Sequence, residues 1–248
     1  MINLCLHCGS RQVERDRIEH CPTPPRTDTW VPIPHHNLLT QVESTLTGAG
    51  LTITNQAHAL SPDRMRYFAL LEVVNGGGSA DYSLVLGLRN SHDKKFPAAL
   101  VVGSAVMVCD NLSFSGEVRI ARKHTRFIER DLPQLVGTAI GRLGAMRQLQ
   151  DQRIETYKNT ELPDAQAHDL VVRAMDARVV PVRQVPDVLA EWRHPRHHEF
   201  AEAGRTAWRL FNAFTEVIKG RALELLPRRT QALHGLMDIA CGLHPVGN

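Results

Sequence analysis

The chain has 248 residues, 43% of them apolar, and a formal net charge of +3. This length fits one large domain or two small ones with a real hydrophobic core, and the composition excludes wholesale disorder. The small net charge does not by itself indicate a nucleic-acid-binding protein, so the positions of the charges must decide. No apolar run approaches the ~20 residues that cross a bilayer. The first residues lack the pattern of a secretory signal, so we expect a cytoplasmic protein.

The first half of the chain is predicted to be a short helix followed by a β-meander. Residues 1–34 are predicted to be irregular, because five prolines crowd the stretch from Pro22 to Pro34. Apolar residues at helical spacing predict a helix around 38–46. Connections too short for crossover helices favour antiparallel pairing of the strands that follow. Those strands are predicted at 51–54, 67–74, 82–88, 100–109 and 117–120.

From about residue 126 onward the hydrophobic pattern becomes helical. The strongest amphipathic stretch is 206–218, where Trp208, Phe211 and Phe214 share one face. The sequence thus predicts an α+β fold, with an antiparallel β-meander sheet packed against helices and a mostly helical C-terminal half. The predicted organisation is an irregular N-terminal segment 1–34, an α+β sheet core 35–160, and a helical C-terminal region 161–248 packed on that core.

Five separated segments resemble one known family. They are Thr27–His35, Gly87–Lys94, Val108–Gly116, Arg122–Thr125 and Ala207–Glu216. In this order they are similar to the phage- and plasmid-borne proteins of domain-of-unknown-function group 932. The resemblance extends over residues 27–243 and implies an origin in mobile genetic elements, but the family brings no settled activity with it.

Two polar segments that follow predicted strands concentrate positive charge and histidine. One is the predicted loop 89–95 and the other is the segment 122–126. Alternate loops of a meander share one edge of the sheet, so these two could lie together and form a basic surface that contains histidine. The alternative is a pair of ordinary solvated turns. The nucleic-acid-binding residues predicted on this basis are Arg89, His92, Lys94, Lys95, Arg122, Lys123, His124, Arg126 and Arg130.

A second basic feature is a stripe from Arg119 to Arg153, which holds eight basic and three acidic residues. Arginine dominates it, and the planar guanidinium suits phosphate. A sheet edge that leads into a basic helix would be a track for a nucleic-acid backbone. The alternative is an ordinary charged helix face.

A third feature is a Cys/His cluster near the N-terminus. Cys5 and Cys8 have C-x-x-C spacing, and His20 with Cys21 could complete a zinc site. The second arm is atypical because adjacent residues rarely both reach one ion, and the alternative is a set of free thiols. Zinc is the only cofactor that the sequence suggests.

The leading hypothesis is a nucleic-acid-binding accessory protein of a mobile element, with single-stranded DNA as the favoured partner and annealing or recombination as the context. The expected sheet and basic helix are broadly similar to phage annealing proteins, which is a fold-level analogy. One alternative is a metal-independent phosphodiester-cleaving enzyme, with His92 and His124 as base and acid and with Lys94 or Lys123 stabilising charge. Another is an inhibitor that contacts a host defence protein. A homo-oligomer is compatible with each of these.

Overall fold

The structure is a computed structural model that describes residues 10–74, 82–106, 112–113, 119–202, 204–219 and 225–243. The described residues fall into two compact units. The first contains the chain up to Ser104 together with the stretch from Arg119 to Met146. The second contains residues 105–106 and 112–113 and the chain from Arg147 onward. Over these described ranges, no helix is both long and apolar enough to cross a membrane.

The strands form one sheet of order β1-β2-β3-β4-β5-β6, in which β7 pairs with β5. Neighbours in sequence are neighbours in the sheet through β6, as expected for a meander with short connections. The predicted α+β class with an antiparallel meander is therefore confirmed. The strands are β1 (Arg11–Val13), β2 (Thr52–Leu60), β3 (Arg66–Val74), β4 (Tyr82–Ser91), β5 (Ala98–Val106), β6 (Leu112–Ser113) and β7 (Arg119–Arg122).

The helices agree with the predicted helical C-terminal half. The predicted helix around 38–46 is observed as His35–Gly48. The helical pattern predicted from about residue 126 onward begins with two helices that are separated at Arg142. A short 3₁₀ turn, Val182–Gln184, precedes α6. In the described residues the helices are α1 (Arg15–Glu19), α2 (His35–Gly48), α3 (Ile128–Gly141), α4 (Leu143–Asn159), α5 (Asp164–Asp176), α6 (Val185–Arg193), α7 (His198–Glu202), α8 (Ala207–Ile218) and α9 (Leu226–Ala240).

The segment 1–34, predicted to be irregular, contains β1 and α1 in its described part. Both precede the prolines that motivated the prediction, and the stretch from Pro22 to Pro34 itself forms neither helix nor strand. β1 forms because it pairs with the far end of β2, where Arg11 lies opposite Leu60. Pairing with β2 thus stabilises a strand that three residues could not form alone.

Strand register brings several turns to one end of the sheet in the first unit. Ser91, at the end of β4, pairs with Arg66 at the start of β3. Ala98, at the start of β5, pairs with Arg122 at the end of β7. The β4–β5 turn and the β7–α3 connection therefore leave the sheet at the same end, called here the sheet end.

β4 is longer than predicted, and this changes the predicted loop 89–95. Arg89 and Asn90 pair with Phe68 and Tyr67 of β3, so the ladder continues to Ser91. The turn is closed by Asp93, whose carboxylate accepts from the Ser91 hydroxyl (2.6 Å) and from the backbone N–H of Lys95 (3.1 Å). The polar composition of this stretch reflects buried partners and turn chemistry rather than a loop over its whole length.

The second unit is held together by the apolar face of α8. Thr206 caps this helix by accepting a hydrogen bond from the backbone N–H of Arg209 (3.3 Å). Trp208 and Phe211 stack with ring centroids 5.7 Å apart, and Phe214 is fully buried. The predicted core role of this stripe is confirmed.

One residue of the predicted basic stripe is paired with a carboxylate below the surface. Arg153 is mostly buried in the second unit, where Nε and Nη2 each lie 2.9 Å from the carboxylate of Asp238. Tyr157 donates to the same carboxylate at 2.6 Å. Because a paired arginine of this kind is tied to its partner, Arg153 does not contribute a free cation to the predicted stripe.

Candidate nucleic-acid interface

Three chain segments meet at the sheet end: the stretch Trp30–Pro34 before α2, the end of β4 with its turn, and the β7–α3 connection. The backbone N–H of Val31 donates to the carbonyl of His124 at 3.1 Å, and Lys94 lies over the ring of Trp30. Each segment belongs to one of the stretches that carry the family resemblance. This convergence makes the sheet end the candidate site.

The buried layer of this site consists of His35, Asn90, His92 and His124. The rings of His35 and His92 stack with centroids 3.9 Å apart and planes within 6°. The Asn90 amide donates to Nδ1 of His35 (3.0 Å) and to the carbonyl of Ile33 (2.8 Å). Asn90 lies on the face of β4 that is turned toward this layer, and His92 follows directly after the last residue of that strand.

The backbone of Ile33 fixes the protonation of two of these rings. Its carbonyl accepts from Nε2 of His92 at 2.7 Å, which assigns the His92 proton to Nε2. Its N–H donates to Nδ1 of His124 at 3.2 Å, so that nitrogen carries no proton. His35 follows the same rule, since its Nε2 donates to the carbonyl of Arg64 (3.1 Å) and its Nδ1 accepts from Asn90. The hydrogen bonds therefore place a proton on Nε2 of all three rings and leave Nδ1 of His35 and His124 unprotonated.

Burial keeps these imidazoles uncharged. Burial, and secondly repulsion by His92, lowers the pKa of His35 to about 3. Burial also lowers the pKa of His92, against the opposing effect of the Ile33 and Pro22 carbonyls. Burial likewise lowers the pKa of His124. A charged ring here would face another imidazole, and the nearby Asp93 carboxylate only partly opposes the lowering of the His92 pKa.

The predicted surface therefore loses its two histidines. His92 is 3% exposed and His124 is 6% exposed, so both lie beneath the surface that was expected to contain them. The sequence could not show this, because the partners on Ile33 are distant in the chain. A catalytic role would require a ring nitrogen that meets a substrate, and the shielding of both rings gives that alternative no support.

The exposed layer of the site consists of cations that lie on aromatic rings. Lys94 Nζ is 4.7 Å from the centroid of Trp30. The guanidinium carbons of Arg126 and Arg130 lie 4.6 Å and 4.7 Å from the centroid of Phe127. Phe127 is 40% exposed, which is high for a large apolar side chain. Cations beside exposed rings form the mixed surface that single-stranded nucleic acids bind.

The predicted cations differ in how free their charge is. Asp131 binds both Arg122 and Arg130, the latter at 2.9 Å, and the Arg130 hydrogen bond lowers the pKa of that carboxyl. The side chains of Lys94, Lys95, Lys123 and Arg126 are exposed, and within the described ranges no carboxylate lies within ion-pair distance of them. These four carry most of the available positive charge.

Arg89 is not part of this surface. It lies on β4 between Leu88 and Asn90, so its side chain leaves the face opposite to Asn90. There it lies 5.2 Å from the ring centroid of Phe96, which in turn contacts Phe68. The structure thus separates Arg89 from His92 and His124, with which the sequence analysis had grouped it.

The predicted zinc site falls partly outside the described residues, which include neither Cys5 nor Cys8. Cys21 is buried, and burial raises the pKa of its thiol. His20 places Nδ1 2.7 Å from the carbonyl of Asp16. Among the residues that the structure describes, no group of three potential ligands is arranged to hold a metal ion.

The family model for the Domain of unknown function (DUF932) matches residues 25–235. The chain belongs to the DUF932 family. No curated protein and no solved structure matches this DUF932 chain. The family match includes all three segments that meet at the sheet end, so the candidate site lies within the DUF932 domain.

Sequence reasoning missed three residues of this DUF932 site and could identify a fourth, Phe127, as an aromatic ring beside the basic segment 122–126. Trp30 and His35 lie in or beside the proline-rich entry segment, and Asn90 was predicted to lie in a loop. Phe127 had a usable signal, because Arg130 follows it at i+3 and such residues are neighbours on a helix surface.

Proposed function

We propose that this DUF932 protein is a nucleic-acid-binding accessory protein of a mobile genetic element and that it binds single strands at the sheet end. The observation that carries the proposal is the exposed layer, in which Lys94 lies on Trp30 and two arginines flank Phe127. Phosphates would contact the cations, and bases would stack on the exposed ring. Annealing of complementary strands is the activity within this role that the architecture suggests by analogy.

The test is a gel-shift series with single-stranded DNA, duplex DNA and single-stranded RNA at two salt concentrations. The four free cations of the exposed layer would contact four phosphates. A plot of log affinity for the single strand against log salt concentration should therefore have a slope of about −3. The Arg126→Gln variant should make this slope shallower by about 0.7. Arg183→Gln removes the same charge from an exposed position in the second unit and should leave the slope unchanged.

A flat response to salt contradicts the proposal, and so does an equal loss from both variants. A chain that binds no strand even at low salt, but forms a stable complex with a host protein, would support the inhibitor alternative instead.

A further inference from the structure

A polar cleft lies beside the exposed layer, between α2 and the start of α3. Its volume is about 380 Å³, within the roughly 300–1,000 Å³ range of small-molecule sites. One wall includes Ile33, whose backbone is held by the buried histidines and Asn90. The other wall includes Glu129, Leu132 and Pro133, at i, i+3 and i+4 on α3. The cleft and the exposed layer are thus built on the same two segments.

The lining is more polar than apolar. Ile33, Pro34, Leu132 and Pro133 supply apolar surface, while Asn37, Thr40, Gln41 and Ser44 of α2 and Glu129 of α3 are polar. The polar groups can orient a ligand by hydrogen bonding while the apolar groups contact its faces.

The polar groups of the cleft have unused hydrogen-bonding capacity. Glu129 is exposed, and no cation of the described chain lies within ion-pair distance of its carboxylate. The Gln41 amide N–H donates to Thr45 (3.2 Å), which leaves its carbonyl oxygen directed elsewhere. The Asn37 amide, also exposed, makes no side-chain hydrogen bond within the described part of the molecule. The cleft therefore offers a carboxylate and an amide oxygen as acceptors and one amide as a donor.

We propose that this cleft binds a guanine base of the strand held by the exposed layer, a proposal that rests on the function proposed above. Guanine presents its N1–H and its 2-amino group side by side, and the two oxygens of Glu129 would accept both. The 6-oxo group beside them would accept from the Asn37 amide. Adenine, cytosine and thymine each present a lone pair beside their donor, and that lone pair would face the carboxylate.

The position of the cleft suits this role. Glu129 follows Phe127 by two residues, at the point where the connection from β7 becomes α3, and side chains at this spacing lie on different faces of a helix. A strand that stacks one base on Phe127 would have to pass around the first turn of α3 to place another base in the cleft. The cleft would then select sequence while the cations and the ring bind any strand.

The test uses nucleosides, which lack phosphate and so do not depend on the cationic surface. Saturation-transfer NMR on the full chain should give a difference signal for guanosine that is at least fivefold larger than the signals for adenosine, cytidine and thymidine. Glu129→Gln replaces one acceptor oxygen by a donor and should abolish the guanosine signal. Glu199→Gln, an exposed glutamate of α7, is the matched control and should retain it. Unfolding midpoints of both variants establish that they are folded.

Strand binding provides the second measurement. Oligonucleotides of one length that contain guanine should bind about tenfold more tightly than oligothymidylate, and Glu129→Gln should remove this preference without weakening oligothymidylate binding. Equal contact with all four nucleosides, no contact with any, or a guanosine signal that survives Glu129→Gln would overturn the cleft proposal. Guanosine contact without any strand binding would instead overturn the proposed function and leave a nucleoside site.

Discussion

At one end of its sheet the first unit carries two layers that use basic residues in opposite ways. The buried layer holds three neutral imidazoles, with His35 and His92 stacked face to face. The exposed layer holds charged side chains such as Lys94 and Arg126, each on an aromatic ring. The short segment Trp30–Pro34 lies between the two layers. Its backbone makes hydrogen bonds to the buried layer, and its Trp30 ring contacts the exposed layer.

Desolvation explains the division. An imidazole can lose its proton near neutral pH, and the neutral ring can then donate through one nitrogen and accept through the other, as His35 does with Arg64 and Asn90. Lysine and arginine keep their charge, and burial without a carboxylate would cost more than the site can recover. Substitutions in the buried layer should therefore change stability, and substitutions in the exposed layer should change binding.

The largest effect is expected in the buried layer. His92→Ala removes the stacking partner of His35 and a hydrogen bond to Ile33, and it leaves a cavity. We expect it to lower the free energy of unfolding by about 2–4 kcal/mol. Urea unfolding measures this. His198→Ala, an exposed histidine of α7, is the control and should change the free energy by less than about 0.5 kcal/mol.

A binding measurement distinguishes a structural role of His92 from a role in contacting the ligand. If the folded His92→Ala protein binds single strands as the wild type does, the ring is structural. Wild-type stability combined with lost binding would instead mean that His92 meets the ligand, and the division between the layers would be wrong.

A smaller effect of the same layer is expected from acid. The three buried rings have folded pKa values below the unfolded value of about 6.5, so the unfolded chain takes up protons first as the pH falls. Stability is thus complete above pH 6.5 and declines below it, for His35 down to about pH 3. We expect a loss on the order of 2 kcal/mol between pH 7 and pH 5, measured by urea unfolding at both pH values.

His124→Asn sharpens this expectation. The asparagine oxygen can still accept from the N–H of Ile33, but it has no proton to gain in this pH range. The difference in stability between pH 7 and pH 5 should shrink, because burial lowers the pKa of His124 in the folded chain. His198→Asn should keep the wild-type difference. An unchanged pH dependence in His124→Asn would mean that this ring does not contribute to acid lability.

Most of the fold followed from local patterns. The apolar spacing of α2, the strand-forming residues of β3 and β4 and the Trp208/Phe211/Phe214 face all identify their elements correctly. The ends of the strands were less predictable. β2 continues to Leu60 and β4 to Ser91 because cross-strand and side-chain partners, rather than local propensity, sustain them there.

The candidate site could be predicted only in its exposed half. The cations are visible in the sequence as charge clusters next to strand ends. The burial of the imidazoles is not visible, because the partners of Asn90, His92 and His124 on Ile33 are 57, 59 and 91 residues away. A histidine next to a lysine has the same local pattern whether a distant backbone segment covers it or not.

The exposed layer gives the smallest of these effects and the most specific one. Phe127→Ala removes the ring that Arg126 and Arg130 contact, and we expect single-strand affinity to fall about fivefold, the lower end of what one stacked base contributes. Stability should hardly change, because the side chain is 40% exposed. Val182→Ala, at a 70% exposed position in the second unit, controls for loss of surface hydrophobicity. Phe127→Leu decides the mechanism: since leucine is apolar but has no π-face, full affinity in that variant would mean that the base makes apolar contact there without stacking.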